Sequence, residues 1–239
     1  MKQRLLFIFA FLVTMITGTW ADALTTPLTF EAIAEGTLVV SNPKTGMQYS
    51  LNGGAKTTMT GTTEINVTAG DRVQFYGNGT SITQYGSDNG TGTTIIGNSG
   101  AYNVYGNIMS LVDEYNYNTA TAVGDYAFAA LFSYNTTLLD ASNLLLPATT
   151  LGEACYSDLF GGCSSLTAAH ALPATTLAAN CYRAMFEGCS LTEAPALPAT
   201  TLGTFCYNFM FQNCSSLTAA PALPATTLVG GCYQSMFEN

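Results

Sequence analysis

Seven cysteines are the residues of this chain with the most chemistry to offer. Six fall in pairs eight residues apart, Cys155 and Cys163, Cys181 and Cys189, Cys206 and Cys214; Cys232 stands alone. A zinc centre takes four sulfur or imidazole ligands, with typically two to four residues between paired sulfurs. An eight-residue spacing and a single histidine, His170, do not supply them. A thiol or hydroxyl nucleophile needs an adjacent base. His170 is the only imidazole, no nucleophile motif surrounds it, and it reads as a variable position of a strand. The remaining use of the thiols is structural, and two arrangements fit. Disulfides within each repeat suit an oxidising compartment, and the first repeat replaces both members together, by Ala127 and Asn135. Alternatively the sulfurs are small buried residues forming two rows of free thiols. An eight-residue pair on a straight helix lies about 12 Å apart, against a limit of about 7 Å for a bridge, which favours the second arrangement.

Other constellations are incomplete. Asp113 and Glu114 are sequence neighbours, whereas a glycosidase pair faces across a cleft. Gly53-Gly54-Ala55-Lys56-Thr57 lacks the spacing of a phosphate-binding loop and suits a hairpin turn. Gly90-Thr91-Gly92 lacks the third glycine and helix of a dinucleotide site, and Asp88-Asn89-Gly90 begins no calcium-ligand series. No catalytic, cofactor-binding or metal-ligating residue is assigned, no cofactor is expected, and the chain reads as a non-enzyme.

The elements that position these residues are repeats. The hexapeptide Leu-Pro-Ala-Thr-Thr-Leu begins at Leu146, Leu172, Leu197 and Leu223, at spacings of 26, 25 and 26 residues. A fixed period of that size means one supersecondary unit stacked many times, a solenoid whose core is sealed by neighbouring copies. Leu131-Phe132, Leu159-Phe160, Met185-Phe186, Met210-Phe211 and Met236-Phe237 follow each Cys or Ala position by four to five residues, a spacing that predicts a short helix. Gly161-Gly162 and Gly188 would stop it, and Leu166–Leu172 would run extended to Pro173. Stacking would align the phenylalanines as a buried row and the short strands as a parallel sheet. The first repeat diverges, as a capping unit should. The last stops inside its expected helix, so the chain reads as truncated at its C-terminus.

Upstream, residues 24–110 carry short alternating runs with turn signals every 8–12 residues, which predicts a β-sandwich. Residues 111–123 read as a polar linker to the repeats at 124–239. Residues 1–21 read as a signal peptide: Lys2 and Arg4, an apolar run from Leu5 to Ile16, then Thr-Trp-Ala. The expected localisation is therefore secreted or at the cell surface, with no transmembrane segment in the mature chain. Without Lys2 and Arg4, four basic and fifteen acidic residues remain, a net charge of −11, and Arg183 is the sole basic residue beyond position 123. Such a chain is a poor ligand for phosphates, which argues against nucleic acid as a partner.

The helix-turn, Gly-Cys-Ser-Ser-Leu-Thr, and strand ending in Leu-Pro resemble the BspA-like leucine-rich repeats of bacterial secreted and surface proteins. The resemblance covers roughly residues 124–239; the segment ending Val104–Leu111 resembles, less specifically, the β-rich domain that often precedes such repeats. It implies an α+β fold: a leucine-rich-repeat-like solenoid of about four and a half repeats, with a short helix and a short parallel strand in each, after an all-β sandwich-like domain. It also implies an adhesion protein that binds an extracellular or host-surface protein. Variable strand positions are the candidate binding surface: Thr167, Ala168, His170, Thr192, Glu193, Pro195, Thr218 and Pro221. The alternative is a glycan-binding N-terminal domain, through Tyr76, Tyr85, Tyr102 and Tyr105, with the repeats as a stalk.

Overall fold

The computed structural model describes residues 24–77 and 92–239. The expected signal peptide, Tyr85 and the Asp88-Asn89-Gly90 segment lie outside them. Among the described residues twelve strands are present: β1 (Thr29–Ala32), β2 (Gly36–Ser41), β3 (Gln48–Leu51), β4 (Thr57–Thr58), β5 (Thr63–Val67), β6 (Arg72–Tyr76), β7 (Thr94–Ser99), β8 (Tyr102–Asn107), β9 (Ala122–Val123), β10 (Leu138–Leu145), β11 (Thr150–Leu151) and β12 (Ala168–Ala169). A seven-stranded sheet runs in the order β12-β10-β8-β1-β6-β3-β4, and a three-stranded sheet in the order β5-β2-β7.

Alternation drives the N-terminal strands. Ile65 and Val67 of β5, and Val73 and Phe75 of β6, turn inward while their neighbours face out. Asn52 and Gly53 take left-handed conformations, and the amide of Gly54 closes the turn onto the Leu51 carbonyl. Pairing is antiparallel from β8 through β4 but parallel from β8 to β10 and from β10 to β12. The larger sheet is therefore mixed. It continues from the N-terminal strands into the repeats, and one hydrophobic core runs beneath both.

The expected α+β class is overturned, because no repeat forms a helix. The longest helical element among the described residues is the 3₁₀ turn Ile108–Leu111. Where a helix was expected the chain makes consecutive tight turns, with a left-handed residue every four positions: Ala154, Asp158 and Gly162, then Asn180, Ala184 and Gly188. Alternate amides serve two partners. Those of Ser157, Leu159 and Gly161 bond three residues back, while those of Tyr156, Asp158 and Phe160 bond the carbonyls of Cys181, Arg183 and Met185 in the next repeat. Four residues per turn resembles the 3.6 of a helix in a short window. Over eight residues, however, a helix drifts by about 80°, and the buried positions would no longer face one interior. A left-handed non-glycine residue costs about 1–2 kcal/mol, and a net backbone hydrogen bond contributes about 0.5–1.5 kcal/mol. These nearly cancel, so side-chain burial decides the outcome.

That burial is organised in two ring rows. Phe132, Phe160, Phe186, Phe211 and Phe237 follow one another at 5.5–5.8 Å between centroids. Phe128, Tyr156, Tyr182, Tyr207 and Tyr233 do so at 5.6–5.9 Å. Each fully buried ring contributes about 1.5–3 kcal/mol. Phe30 of β1 lies 5.5 Å from Phe132, so the phenylalanine row continues into the N-terminal core.

The expected parallel strand per repeat is also absent beyond β12. Residues equivalent to His170 are Pro195 and Pro221 in the next two copies, and proline has no amide to donate to a ladder. The hexapeptides form a further side of the stack. Leu172, Ala174, Leu197 and Ala199 are buried, and Thr176 and Thr201 form a parallel bridge.

Candidate functional site

The candidate surface residues lie where successive repeats meet edge to edge. The amide and hydroxyl of Thr167 both donate to the Leu139 carbonyl, at 3.1 and 3.3 Å. The Thr192 amide donates to the Thr167 carbonyl at 3.4 Å, and the Thr218 hydroxyl to the Thr192 carbonyl at 3.5 Å. Thr167, Thr192 and Thr218 thus form one exposed row, with exposed Glu193 beside it. Ala168, in β12, and Pro221 are half-buried. Pro195 is buried and is not available to a partner, because a repeat lies on either side of it.

His170 sits at the end of this row. Its Nδ1 lies 2.9 Å from the Ser142 carbonyl. A carbonyl only accepts, so Nδ1 carries the proton. The imidazole walls an apolar groove of about 280 Å³ with Leu24, Leu145, Leu146, Pro147 and Pro173. This is a packed, half-buried histidine (relative to the exposed threonines beside it).

The thiols are all free and all buried. Burial pushes Cys155, Cys163 and Cys206 up to about 12 and Cys214 up to about 11, and it also raises Cys181 and Cys189. They stay protonated near neutrality and are weak nucleophiles. Their S–H groups are used in the stack: Cys163, Cys189 and Cys214 donate to the carbonyls of Phe132, Phe160 and Phe186, at 3.0, 3.2 and 2.9 Å. Asn135 holds the corresponding position in the first repeat and makes different bonds. Its Oδ1 accepts from the Gly97 amide at 3.2 Å, and its Nδ2 donates to the Ile95 carbonyl at 3.4 Å. The sequence divergence of the first repeat is therefore how it docks onto β7.

The adjacent carboxylates do separate work. Asp113 accepts from the Asn116 side chain and from the amides of Tyr115 and Asn116, and these bonds lower its pKa. Glu114 pairs with Lys56, whose ammonium lies 3.9 Å from the centre of the Tyr76 ring. Of the tyrosines considered for sugar stacking, Tyr102 is fully buried and cannot stack, and Tyr76 and Tyr105 are half-buried. Among the described residues, no group of three or more histidine, cysteine or acidic side chains could hold a metal ion, and no helix is long and apolar enough to cross a membrane.

Reasoning from the sequence passed over Tyr134, which is 76% exposed. Gly162 and Gly188 hold its place in the next two repeats, and a bulky residue at a glycine position was the available signal. No family model matches the chain, and no curated protein or solved structure is significantly similar to it.

Proposed function

We propose that this chain is an exported, non-enzymatic binding protein that holds an extracellular protein partner against the exposed threonine row of its repeats. The observation that carries this reading is the alignment of Thr167, Thr192 and Thr218 on successive repeats, each hydrogen-bonded to the copy before it, from Thr218 to Thr192 to Thr167 to Leu139. A backbone-anchored row presents hydroxyls at fixed spacing, so a partner meets them with little further loss of side-chain entropy. Low charge on this face suits hydrogen-bonded and apolar contact in place of electrostatic steering. Export is supported by the basic start, the Leu5–Ile16 apolar run and Thr-Trp-Ala. The resemblance of the repeats to BspA-like surface proteins supports the same reading.

The test is surface plasmon resonance of the full chain against purified extracellular-matrix proteins. A triple variant, Thr167→Arg, Thr192→Arg and Thr218→Arg, should abolish any binding found while leaving the thermal transition in place. Binding that persists in the triple variant removes the threonine row as the interface.

A further inference from the structure

The turn side of the repeats, distinct from the threonine row, carries a cleft of about 700 Å³. Volumes of about 300–1,000 Å³ are usual for small-ligand sites. Tyr134 forms one wall. Its backbone is left-handed, with φ 60°, and its ring lies against Gly162: a Cβ added there would stand 2.6 Å from a ring carbon. Glycine thus supports one face of the ring, and the 76% exposure leaves the other open. Sugars present C–H faces that pack on such an amphipathic ring, whose apolar body and polar tip suit a wet site.

The polar groups opposite are arranged for hydroxyls and not for charge. Asp158 Oδ2 accepts from the Ser157 hydroxyl at 2.7 Å and lies 3.6 Å from Arg183 Nη1. That leaves Oδ1 to accept from a ligand. Arg183 is further held 5.8 Å from the Phe209 ring. Arg183 is the only basic residue lining the cleft, against the two carboxylates Glu153 and Asp158, so the net charge of the lining disfavours an anionic ligand. The Asn180 amide stands 3.5 Å from Glu153 Oε1, adding a donor and an acceptor on the same wall. Burial raises the Asp158 carboxyl, as expected where water is partly excluded. The Ser157 hydroxyl and Arg183 partly offset that rise.

We propose that this cleft binds a neutral oligosaccharide, stacked on Tyr134 and hydrogen-bonded by Asp158, Glu153 and Asn180. It is independent of the threonine row and of the tyrosines of the N-terminal sheets.

Isothermal titration of the full chain with maltohexaose, cellohexaose, xylohexaose and chitohexaose tests this. At least one should bind. Tyr134→Gly copies the residue of the next two repeats at a left-handed position, so it should fold normally. It should weaken binding at least tenfold, and Asp158→Asn should weaken it severalfold. Tyr115→Ala removes an equally exposed ring, 77% accessible, outside the cleft, and should change nothing. The triple arginine variant of the threonine row should also bind normally. No heat with any of the four sugars overturns the proposal. So does affinity unchanged in Tyr134→Gly, or lost equally in Tyr115→Ala.

Discussion

Among the described residues of 24–110, the local β3–β4 hairpin apart, strands meet partners distant in the chain. Phe30 of β1 stands opposite Val73 on one side and Val104 on the other. In residues 124–239 the repeats meet mainly the copies before and after them, and the first also meets β7 and β8. Tyr156 stacks on Phe128 and Tyr182, and its amide reaches Cys181. The first arrangement needs a different side chain at every position, because every neighbour differs. The second needs the same side chain again and again, because each residue packs on its own equivalent. Identity between copies is then a packing requirement, and departures from it mark places where a repeat meets something else. Asn135, facing β7, is one such place, and Tyr134, beside the cleft, is another.

The largest expected effect separates the two regions by pH. An unfolded thiol ionises near pH 8.5. Six thiols of the repeats have raised values in the folded chain, and residues 24–110 contain no cysteine. Above pH 8.5 the unfolded chain loses protons that the folded chain keeps, so stability falls as pH rises. The slope is about 1.4 kcal/mol per pH unit for each thiol, or on the order of 8 kcal/mol for six. With thiols kept reduced, the urea midpoint should hold steady to pH 8 and collapse between pH 9 and 11. An unchanged midpoint at pH 11 would break the account of a buried thiol stack.

Next in size is the ring row. Phe160→Ala removes a ring that meets Phe132 and Phe186 at 5.5 Å each, and should destabilise by about 3–5 kcal/mol in urea unfolding. Phe237→Ala, at the exposed end with one ring neighbour, should cost well under half of that. Equal losses at the two positions would mean that the row does not act through its neighbours.

The junction gives a smaller effect. Asn135→Cys makes the first repeat match the others but leaves the Gly97 amide and the Ile95 carbonyl without their partner. A loss of about 1–3 kcal/mol should follow, seen as a lower thermal midpoint. A neutral result would mean that β7 is not a specific cap.

The smallest effect has the opposite sign. Among the described residues, the buried hydroxyls of Tyr156 and Tyr182 have no hydrogen-bond partner, and the first repeat already uses Phe128 in that row. Tyr182→Phe removes an unsatisfied polar group without changing ring shape. It should stabilise by about 1 kcal/mol. Destabilisation would show that the hydroxyl is in fact satisfied.

Much of the repeat region was legible before any coordinates. Spacings of 25 and 26 residues gave the stacking interval, and the recurring Phe gave the ring row now seen at 5.5–5.8 Å. The expected helix does not form because Leu159-Phe160, four to five residues after Cys155, suits a chain of four-residue turns as well as a helical face. The fate of Pro195 was hidden for a different reason: whether a proline lies on the surface depends on how the neighbouring repeats close over it.

What the amino-acid order determined alone is the unit, its period and which residues are apolar, since these are properties of one copy. The tertiary structure decided where the amides bond. A turn whose alternate N–H groups point along the stack is favoured only when another copy lies there to accept them. The bonds of Asn135 to β7, some 40 residues back, and the open face of Tyr134 over Gly162 likewise exist only after distant segments have been brought together.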